Sequence, residues 1–106
     1  MIQFDDFAKV ELRTARVAAA EAHPNADRLL VLQLELGEER RQIVAGIRQH
    51  YEPEALVGKT IVVVANLEPV KLRGVESNGM LLAVRDGDAV KVVTTDGEVG
   101  SGLAVS

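Results

Sequence analysis

The sequence contains no cysteine, which excludes disulfide bridges, thiol chemistry and cysteine-ligated zinc sites. This absence fits a reducing compartment, and the N-terminus shows neither a basic region nor an apolar signal core. The longest mainly apolar run, residues 60–67, is much shorter than the roughly 18 residues that a membrane-spanning helix needs. We therefore expect a soluble cytoplasmic protein with no membrane partner.

Aromatic side chains are also scarce, since Phe4, Phe7 and Tyr51 are the only three. Proteins that bind single-stranded nucleic acid stack bases on aromatic rings, and each stack contributes roughly 1–3 kcal/mol. Three aromatics, two of them near the N-terminus, do not form such a platform. If the chain binds RNA, we expect it to bind a folded shape through the sugar-phosphate backbone and 2′-hydroxyl groups.

Positive charge is in the minority, because 12 lysines and arginines face 16 aspartates and glutamates and leave a net charge of -4. The bulk charge therefore argues against nonspecific binding of nucleic acid. The charges are nevertheless segregated along the chain. Residues 40–48 contain three arginines and no acid, and residues 59–75 contain three basic residues and one acid. Any RNA site is predicted to be a local basic patch.

No group of residues indicates catalysis or a bound metal. His23 and His50 lie near acidic residues, but two histidines without cysteine are a weak metal-ligand set, and we interpret both as loop residues. No serine lies in a nucleophile-elbow sequence. Gly58-Lys59-Thr60 resembles the end of a phosphate-binding loop, but Pro53 occupies the place of the earlier glycine. We expect no cofactor and no enzymatic activity of the chain's own.

Turn residues and alternating apolar residues predict one all-β domain over residues 1–106. The predicted strands are 10–17, 29–36, 41–45, 60–65, 80–84 and 90–94, with a helical turn at 53–57 and an extended C-terminal piece at 100–105. Short strands with one helix between the third and fourth favour the OB fold, a five-stranded Greek-key barrel, here with a C-terminal extension. Phe4 and Phe7 are expected to pack near the start of the first strand.

The strand predicted at 60–65 is apolar on both faces. A strand in a lone small barrel normally has one face in water. We therefore expect this strand to be covered, either by the C-terminal segment or by a second subunit.

Segment 66–80 is the most informative part of the chain, and we expect it to be irregular as far as residue 78. Lys71 and Arg73 are two residues apart, so in an extended segment they would project to the same side. Two cations on one side are suited to a phosphate contact. The alternative is a solvated loop followed by Met80 as an ordinary core residue.

Several stretches, in order along nearly the whole chain, resemble one known family. They are FDDFAKVELR at 4–13, HPNADRL at 23–29, QIVAGI at 42–47, VANL at 64–67, KLRGV at 71–75 and SNGMLL at 77–82. This set is similar to the tRNA-binding domain found at the C-terminus of methionyl-tRNA synthetases, in a free-standing bacterial tRNA-binding protein and in the endothelial monocyte-activating polypeptide group. Singly, none of the stretches is specific.

The resemblance implies an OB fold that binds the outer, structured face of tRNA with little sequence preference. It also implies a homodimer and, for the synthetase members, a catalytic domain as partner. The implied tRNA contacts are the family's Ser-x-Gly-Met motif and its neighbours, here Ser77, Met80, Asn66, Lys71 and Arg73. Local charge adds three further candidates, Arg28, Arg41 and Arg48. The acidic net charge departs from the more basic members, and favours an appendage that raises the affinity of a catalytic domain.

Three functions stay open at this point. The first is the tRNA-binding and dimerisation domain of a methionyl-tRNA synthetase, and the second is a stand-alone tRNA-binding protein with the same site. The third is a secretion-chaperone-like dimer of the same fold that binds unfolded polypeptide in an apolar groove. The segment HPNADR before the leucine-rich strand favours the tRNA-binding branch, because the chaperone-like branch departs there.

Overall fold

The computed structural model describes all residues from 1 to 106 and contains ten strands and two short helices. In chain order they are α1 (Phe4–Ala8), β1 (Leu12–Ala22), β2 (Leu30–Leu36), β3 (Glu39–Ala45), α2 (Pro53–Leu56), β4 (Thr60–Val64), β5 (Val70–Leu72), β6 (Val75–Ser77), β7 (Met80–Leu81), β8 (Ala83–Asp86), β9 (Ala89–Val92) and β10 (Ala104–Val105). The predicted all-β class is confirmed. Neither helix is long and apolar enough to cross a membrane.

One curved antiparallel sheet, with strand order β3-β2-β1-β4-β7, forms the body of the molecule. Strand β1 is shared, because residues 12–16 pair with β4 and residues 16–22 pair with β2. The register of β1 against β2 shifts between Val17 and Ala19, which marks a bulge, and bulges bend a strand and increase its twist. The alternating pattern ends at this bulge, which is why the sequence predicted the end of the strand at Val17.

The sheet curls until β3 meets the segment that follows β6. The Val44 amide donates to Ser77 Oγ over 2.9 Å, and the Asn78 amide donates to the Gln42 carbonyl over 2.8 Å. These two bonds close the curled sheet on the side opposite β1. The observed architecture is the OB-like barrel that the sequence predicted, with α2 between the third and fourth strands.

The core lies inside this curled sheet. One face of β2 supplies the four leucines expected from the alternating pattern, Leu30, Leu32, Leu34 and Leu36, and all are at most 1% exposed. Helix α2 places Leu56 against them, fully buried. It begins with Pro53 and is followed by Gly58 at φ 89°, so the predicted helix and its flanking residues are confirmed.

Strand β4 is buried on both faces within a single chain. Ile61 and Val63 lie in the core, and Val62 and Val64 are buried outside it. Thr14 lies opposite Val62 in β1, and its hydroxyl donates to the Gly100 carbonyl over 2.8 Å. The C-terminal segment therefore reaches this second face at β1, next to β4. Of the two covers that we expected, the C-terminal segment is the one observed, and β4 alone does not require a second subunit.

The structure corrects three expectations. Segment 66–78 is not irregular, because β5 and β6 form a hairpin closed by Arg73 and Gly74, whose φ angles of 52° and 88° fit a two-residue turn. The strand expected at 80–84 is divided at Leu82, which bonds through its backbone to Val62 and Val93 instead. The N-terminal aromatics lie in helix α1, which the sequence did not predict, and that helix buries no residue.

Candidate nucleic-acid interface

The hairpin of β5 and β6, residues 70–77 and here called the arm, projects its charged turn from the barrel. Residues 70–74 are all exposed, including Lys71 on β5 and Arg73 in the turn. At its base the arm is fixed to β3, because Gln42 Nε2 donates to the Glu76 carbonyl over 2.8 Å and Ser77 accepts the Val44 amide. The barrel thus positions a short, basic, solvent-facing element.

Lys71 and Arg73 do not lie on one extended segment. Arg73 has a left-handed backbone, so the alternation of side chains breaks between the two residues. The expectation that both project to the same side rested on extended geometry and is therefore unsupported. Arg73 instead lines a cleft together with residues 25–29, and Lys71 does not.

The cleft lies between the turn of the arm and the loop at residues 24–29. Its volume is about 370 Å³, and its lining consists of Asn25, Ala26, Asp27, Arg28, Leu29 and Arg73. Arg28 and Arg73 bring two positive charges to it, and Asp27 brings one negative charge and two hydrogen-bond acceptors. Such a lining is suited to ligands that carry negative charge, which the arginines would bind, and hydroxyl groups, which the aspartate would accept as donors.

Arg48 supports the loop from behind. Its Nη1 donates to the Ala26 carbonyl over 3.1 Å, and its amide donates to the Arg28 carbonyl over 3.3 Å. The side chain is half-buried. Arg48 therefore fixes the loop that presents Arg28, rather than extending into solvent as Arg28 and Arg73 do.

His23 joins the loop to the arm. It is only 3% exposed, its Nδ1 accepts the Asn25 amide over 2.9 Å, and its Nε2 lies 2.9 Å from the Leu72 carbonyl. Because Nδ1 is an acceptor, Nε2 carries the proton and donates to Leu72. The sequence identified His23 as a loop residue but gave no indication of this bond, because Leu72 is 49 residues away.

Ser77 and Met80, the first and last residues of the Ser-x-Gly-Met motif, have different environments. Ser77 is 2% exposed, and its hydroxyl both accepts the Val44 amide and donates to the Gly79 carbonyl over 3.1 Å. Met80 is 48% exposed at the start of β7. A Cβ at Gly79 would lie 3.1 Å from the Val64 carbonyl oxygen, and its φ is 131°. The motif therefore places an exposed methionine directly after a glycine whose backbone packs closely against β4.

Arg41 and Glu39 form the charged pair beside this motif. Arg41 Nε lies 2.6 Å from Glu39 Oε2, Arg13 Nη1 lies 3.4 Å from Glu39 Oε1, and Arg41 Nη1 donates to the Ala65 carbonyl. The hydrogen bond from Arg41, strengthened by the charges of Arg41 and Arg13, lowers the pKa of Glu39 below its ordinary value. Arg41 is thus committed to contacts within the protein.

Asn66 is likewise engaged inside the protein. Its Oδ1 accepts the Glu11 amide over 2.9 Å and its Nδ2 donates to the Lys9 carbonyl over 2.7 Å. These bonds tie the end of β4 to the segment between α1 and β1. The eight residues predicted for the site thus form two groups. Four have exposed side chains with no hydrogen bond within the protein, namely Arg28, Lys71, Arg73 and Met80, and four have side chains bonded within the protein, namely Arg41, Arg48, Ser77 and the exposed Asn66.

A second exposed surface is apolar. A groove of about 510 Å³ lies between α1 and the C-terminal strand, and its apolar lining includes Phe4, Phe7, Val10, Leu12, Ala104 and Val105. Phe4 is 77% and Phe7 39% exposed, so the expectation that they pack near the start of β1 holds only as the wall of an open groove.

Comparison with known proteins identifies the family. Residues 12–104 match the family model described as "Putative tRNA binding domain". The chain belongs to this family. The predicted membership of the tRNA-binding domain family is therefore confirmed, and the match includes the arm, the cleft and most of the barrel.

Individual relatives agree with the family. The chain is 59% identical over 105 residues to the methionine–tRNA ligase of Thermotoga maritima, and the match covers 99% of this chain and 17% of that protein. The chain therefore spans about a sixth of the length of that curated relative. Two solved structures are similar over the full chain. They are the MetRS-related protein of Pyrococcus horikoshii, at 36% identity and a TM-score of 0.93 over 98% of its length, and the chaperone CsaA of Bacillus anthracis, at 31% identity and a TM-score of 0.89 over 99% of its length.

Proposed function

We propose that this tRNA-binding domain recognises the folded shape of tRNA through the face that carries the arm and the cleft. The observation that carries the proposal is the arrangement of Arg28, Lys71 and Arg73, which are exposed and form no ion pair within the protein. Unpaired arginines and lysines on a fixed surface are the groups that neutralise RNA phosphates. Membership of the tRNA-binding domain family supports RNA as the polyanion.

In this proposal, four of the eight site residues contact the tRNA and the other four hold the backbone that presents them. Arg28, Lys71 and Arg73 contact phosphates, and Met80 packs its exposed thioether against a ribose or the edge of a base. The other four hold the backbone that presents these groups. Arg48 fixes the loop of Arg28, Ser77 fixes the base of the arm, and Arg41 and Asn66 fix the end of β4 beside Met80.

Recognition of folded rather than single-stranded RNA follows from where the aromatic rings lie. Phe4 and Phe7 line the apolar groove, and the Tyr51 hydroxyl accepts the Val92 amide while its ring packs on the core. None of the three rings lines the cleft. Without a stacking surface there, binding relies on phosphates and 2′-hydroxyl groups, and Asp27 in the cleft is an acceptor for a hydroxyl.

We further propose that the domain works as an appended part of a cytoplasmic methionine–tRNA ligase and has no catalysis of its own. The high identity to a methionine–tRNA ligase of which it spans 17% supports this arrangement. Three cations at the proposed site, in a chain of net charge -4, give weak binding alone. Tethering to a catalytic domain that also contacts the tRNA raises the effective concentration of the domain at its own contact. A stand-alone protein is the alternative, because the Pyrococcus structure is matched over 98% of its length. The mass of the endogenous protein distinguishes the two.

The tRNA proposal is tested by removing exposed cations one at a time. Lys71→Ala and Arg73→Ala should each weaken binding to all tRNAs alike, and each should reduce the salt slope of log Kd by about one unit, as measured by filter binding. The matched controls are Lys91→Ala and Arg85→Ala, which remove exposed cations from the β8–β9 hairpin. Equal losses in the controls, or loss of one tRNA species only, would contradict the proposal.

We also propose a homodimer in which the apolar groove of each copy receives the protruding aromatic rings of the other. Helix α1 buries none of its residues within its own chain although it carries Phe4 and Phe7. The same surface thus provides both a groove and protruding rings, which is what a self-complementary two-fold contact requires. Such a contact would bury these rings and the flanking Ile2, which is 71% exposed.

Light scattering tests the dimer directly. The wild-type chain should show twice its mass of 11.4 kDa, and Phe7→Asp should be a folded monomer because a charge in an apolar contact is costly. Val84→Asp is the control, since Val84 is 56% exposed on β8, outside the groove. A monomeric wild type, or a Phe7→Asp dimer, would refute this contact.

A second candidate function is the binding of unfolded polypeptide in the same groove, which the likeness to the chaperone CsaA favours. The two candidates differ in what fills the groove. A labelled, permanently unfolded polypeptide should not bind a groove that is closed by a second copy. Saturable binding that Phe7→Asp abolishes would favour the polypeptide function over the dimer.

A further inference from the structure

We propose that His23 is a positioning residue for RNA binding, and that it keeps Arg28 and Arg73 at a fixed separation across the cleft. The inference rests on the proposed function and deepens it. It assigns the cleft as the place where one stretch of RNA backbone sits between the two arginines. His23 itself touches no RNA in this account, since it is 3% exposed.

Residues 70–75 of the arm have one polar attachment to the rest of the protein. Residues 70–75 bond to each other and to β6, and the hydrogen bond from His23 Nε2 to the Leu72 carbonyl is the only one that joins them to another part of the chain. Packing adds little, because Val70 is 52% and Leu72 36% exposed. The position of Arg73, the residue after Leu72, therefore depends on His23.

The second ring nitrogen fixes the opposite wall. Nδ1 accepts the amide of Asn25, the first residue that lines the cleft on the loop side. The His23 amide also donates to the Leu29 carbonyl over 3.0 Å, at the end of the same loop. One buried, planar ring thus bonds to both walls. Its two nitrogens lie on different sides of the ring, so the wall separation is set by the ring itself.

Two amide substitutions separate the two bonds of the ring. The amide oxygen of asparagine occupies the place of Nδ1, so His23→Asn keeps an acceptor for the Asn25 amide but loses the donor to Leu72. The amide nitrogen of glutamine reaches the place of Nε2, so His23→Gln keeps the donor to Leu72 and loses the acceptor. His50→Asn is the control, because His50 lies in another loop, outside the cleft.

The experiment measures the dissociation constant of folded tRNA for these variants, each with and without Arg73→Ala. In the wild type and in His23→Gln, Arg73→Ala should lower the affinity by the same factor. In His23→Asn the affinity should already be about three- to ten-fold lower, and Arg73→Ala should cost little more, because the released arm no longer holds Arg73 at the cleft. His50→Asn should behave as the wild type.

Amide hydrogen exchange gives a second readout that does not depend on RNA. Exchange in residues 70–75 should be faster in His23→Asn than in His23→Gln, with the barrel strands equally protected in both. If His23→Asn does not fold, His23→Gln still decides, because it must retain both the arm's protection and the full cost of Arg73→Ala. Loss of either result overturns the inference.

The failures of the two proposals are distinguishable. If the wild type does not bind tRNA, the proposed function fails, and this inference fails with it. If the wild type binds tRNA but Arg73→Ala costs the same factor in His23→Asn as in the wild type, the function stands and the positioning role of His23 is overturned.

Discussion

The face that carries the arm and the face that carries the apolar groove are both open to solvent, but they are constructed differently. On the arm face, exposed cations stand on a backbone fixed by buried polar side chains such as His23 and Ser77. On the groove face, Phe4 and Phe7 stand on a five-residue helix that buries nothing. Hydrogen bonds within the chain hold the backbone of the first face, whereas the apolar side chains of the second are left uncovered by the chain itself.

This difference indicates what each face binds. Cations on a held backbone lose only side-chain freedom on binding a polyanion, and they act through long-range attraction that salt weakens. Exposed apolar side chains gain free energy only when another apolar surface covers them, at about 25 cal/mol per Å² buried. The arm face is therefore suited to RNA, and the groove face is suited to a second protein surface.

The largest expected effect comes from a change in the core, which should abolish both faces together. Val63 is 1% exposed in the core, and an unpaired carboxylate there costs several kcal/mol, a large part of the roughly 5–15 kcal/mol that stabilises a domain. Val63→Asp should therefore be unfolded by circular dichroism. Val84→Asp, on an exposed site, should change the free energy of unfolding by about 0.5 kcal/mol or less.

The contrary outcome would be a folded Val63→Asp protein that has lost only its dimer. That result would mean that β4 itself lies in the dimer contact, as its two apolar faces first allowed. The proposed dimer contact would then lie on the sheet, not in the groove between α1 and β10. The comparison between the two faces would no longer hold.

A change of intermediate size, Ser77→Ala, distinguishes a residue that holds the backbone of the arm face from one that contacts tRNA. Ser77→Ala leaves the buried Val44 amide without its acceptor, which should lower the free energy of unfolding by about 1–3 kcal/mol. The affinity of the folded protein for tRNA should fall less than in Arg73→Ala. Urea unfolding and filter binding measure the two, with Ser106→Ala as an exposed control.

The opposite pattern in Ser77→Ala, with unchanged stability and a large loss of tRNA affinity, would make Ser77 a direct contact. The arm face would then be partly assembled by its ligand, as the groove face is, and the contrast between them would weaken.

The smallest effect is electrostatic and depends on pH. The folded-state pKa of Glu39 lies below its ordinary value, chiefly through the hydrogen bond from Arg41, so the ion pair stabilises the fold above the unfolded pKa. This stabilisation is lost as the pH falls through the folded pKa. Glu39 is exposed, so Glu39→Gln should cost less than about 1 kcal/mol at pH 7, and nothing at a pH below the folded pKa.

Thermal unfolding across this pH range checks the Glu39 prediction, with Glu38→Gln as the neighbouring exposed control. A cost of Glu39→Gln that persists at low pH would show that packing, rather than charge, holds Arg41 against Glu39 and the Ala65 carbonyl.

The barrel could be predicted from the sequence, because its signals are local. Alternation placed the leucines of β2 on one buried face, and Pro53 and Gly58 marked the two ends of α2. The arm could not be predicted in detail, because a non-glycine residue such as Arg73 seldom adopts positive φ, and nothing nearby in the sequence indicates it. The cation spacing therefore suggested an extended segment.

The roles of the site residues depended on partners that are distant in the sequence. Asn66 bonds to Glu11 and Lys9, which lie 55 and 57 positions earlier in the sequence. His23 bonds to Leu72, which lies 49 positions later. The resemblance to the family identified Ser77, Met80 and Asn66 as important, but it did not distinguish a side chain that meets RNA from one that holds the backbone. The division that we propose between these two roles rests on the burial and hydrogen bonds of the side chains.

The most direct test of the central claim, that the arm face reads folded tRNA, compares one tRNA in two states. The purified wild-type chain is titrated against tRNA folded with magnesium and against the same tRNA unfolded without it, at two salt concentrations. We predict tighter binding to the folded form, which weakens steeply with salt. Equal or tighter binding to the unfolded form would contradict the account, and no binding at low salt would bring the polypeptide-binding function forward.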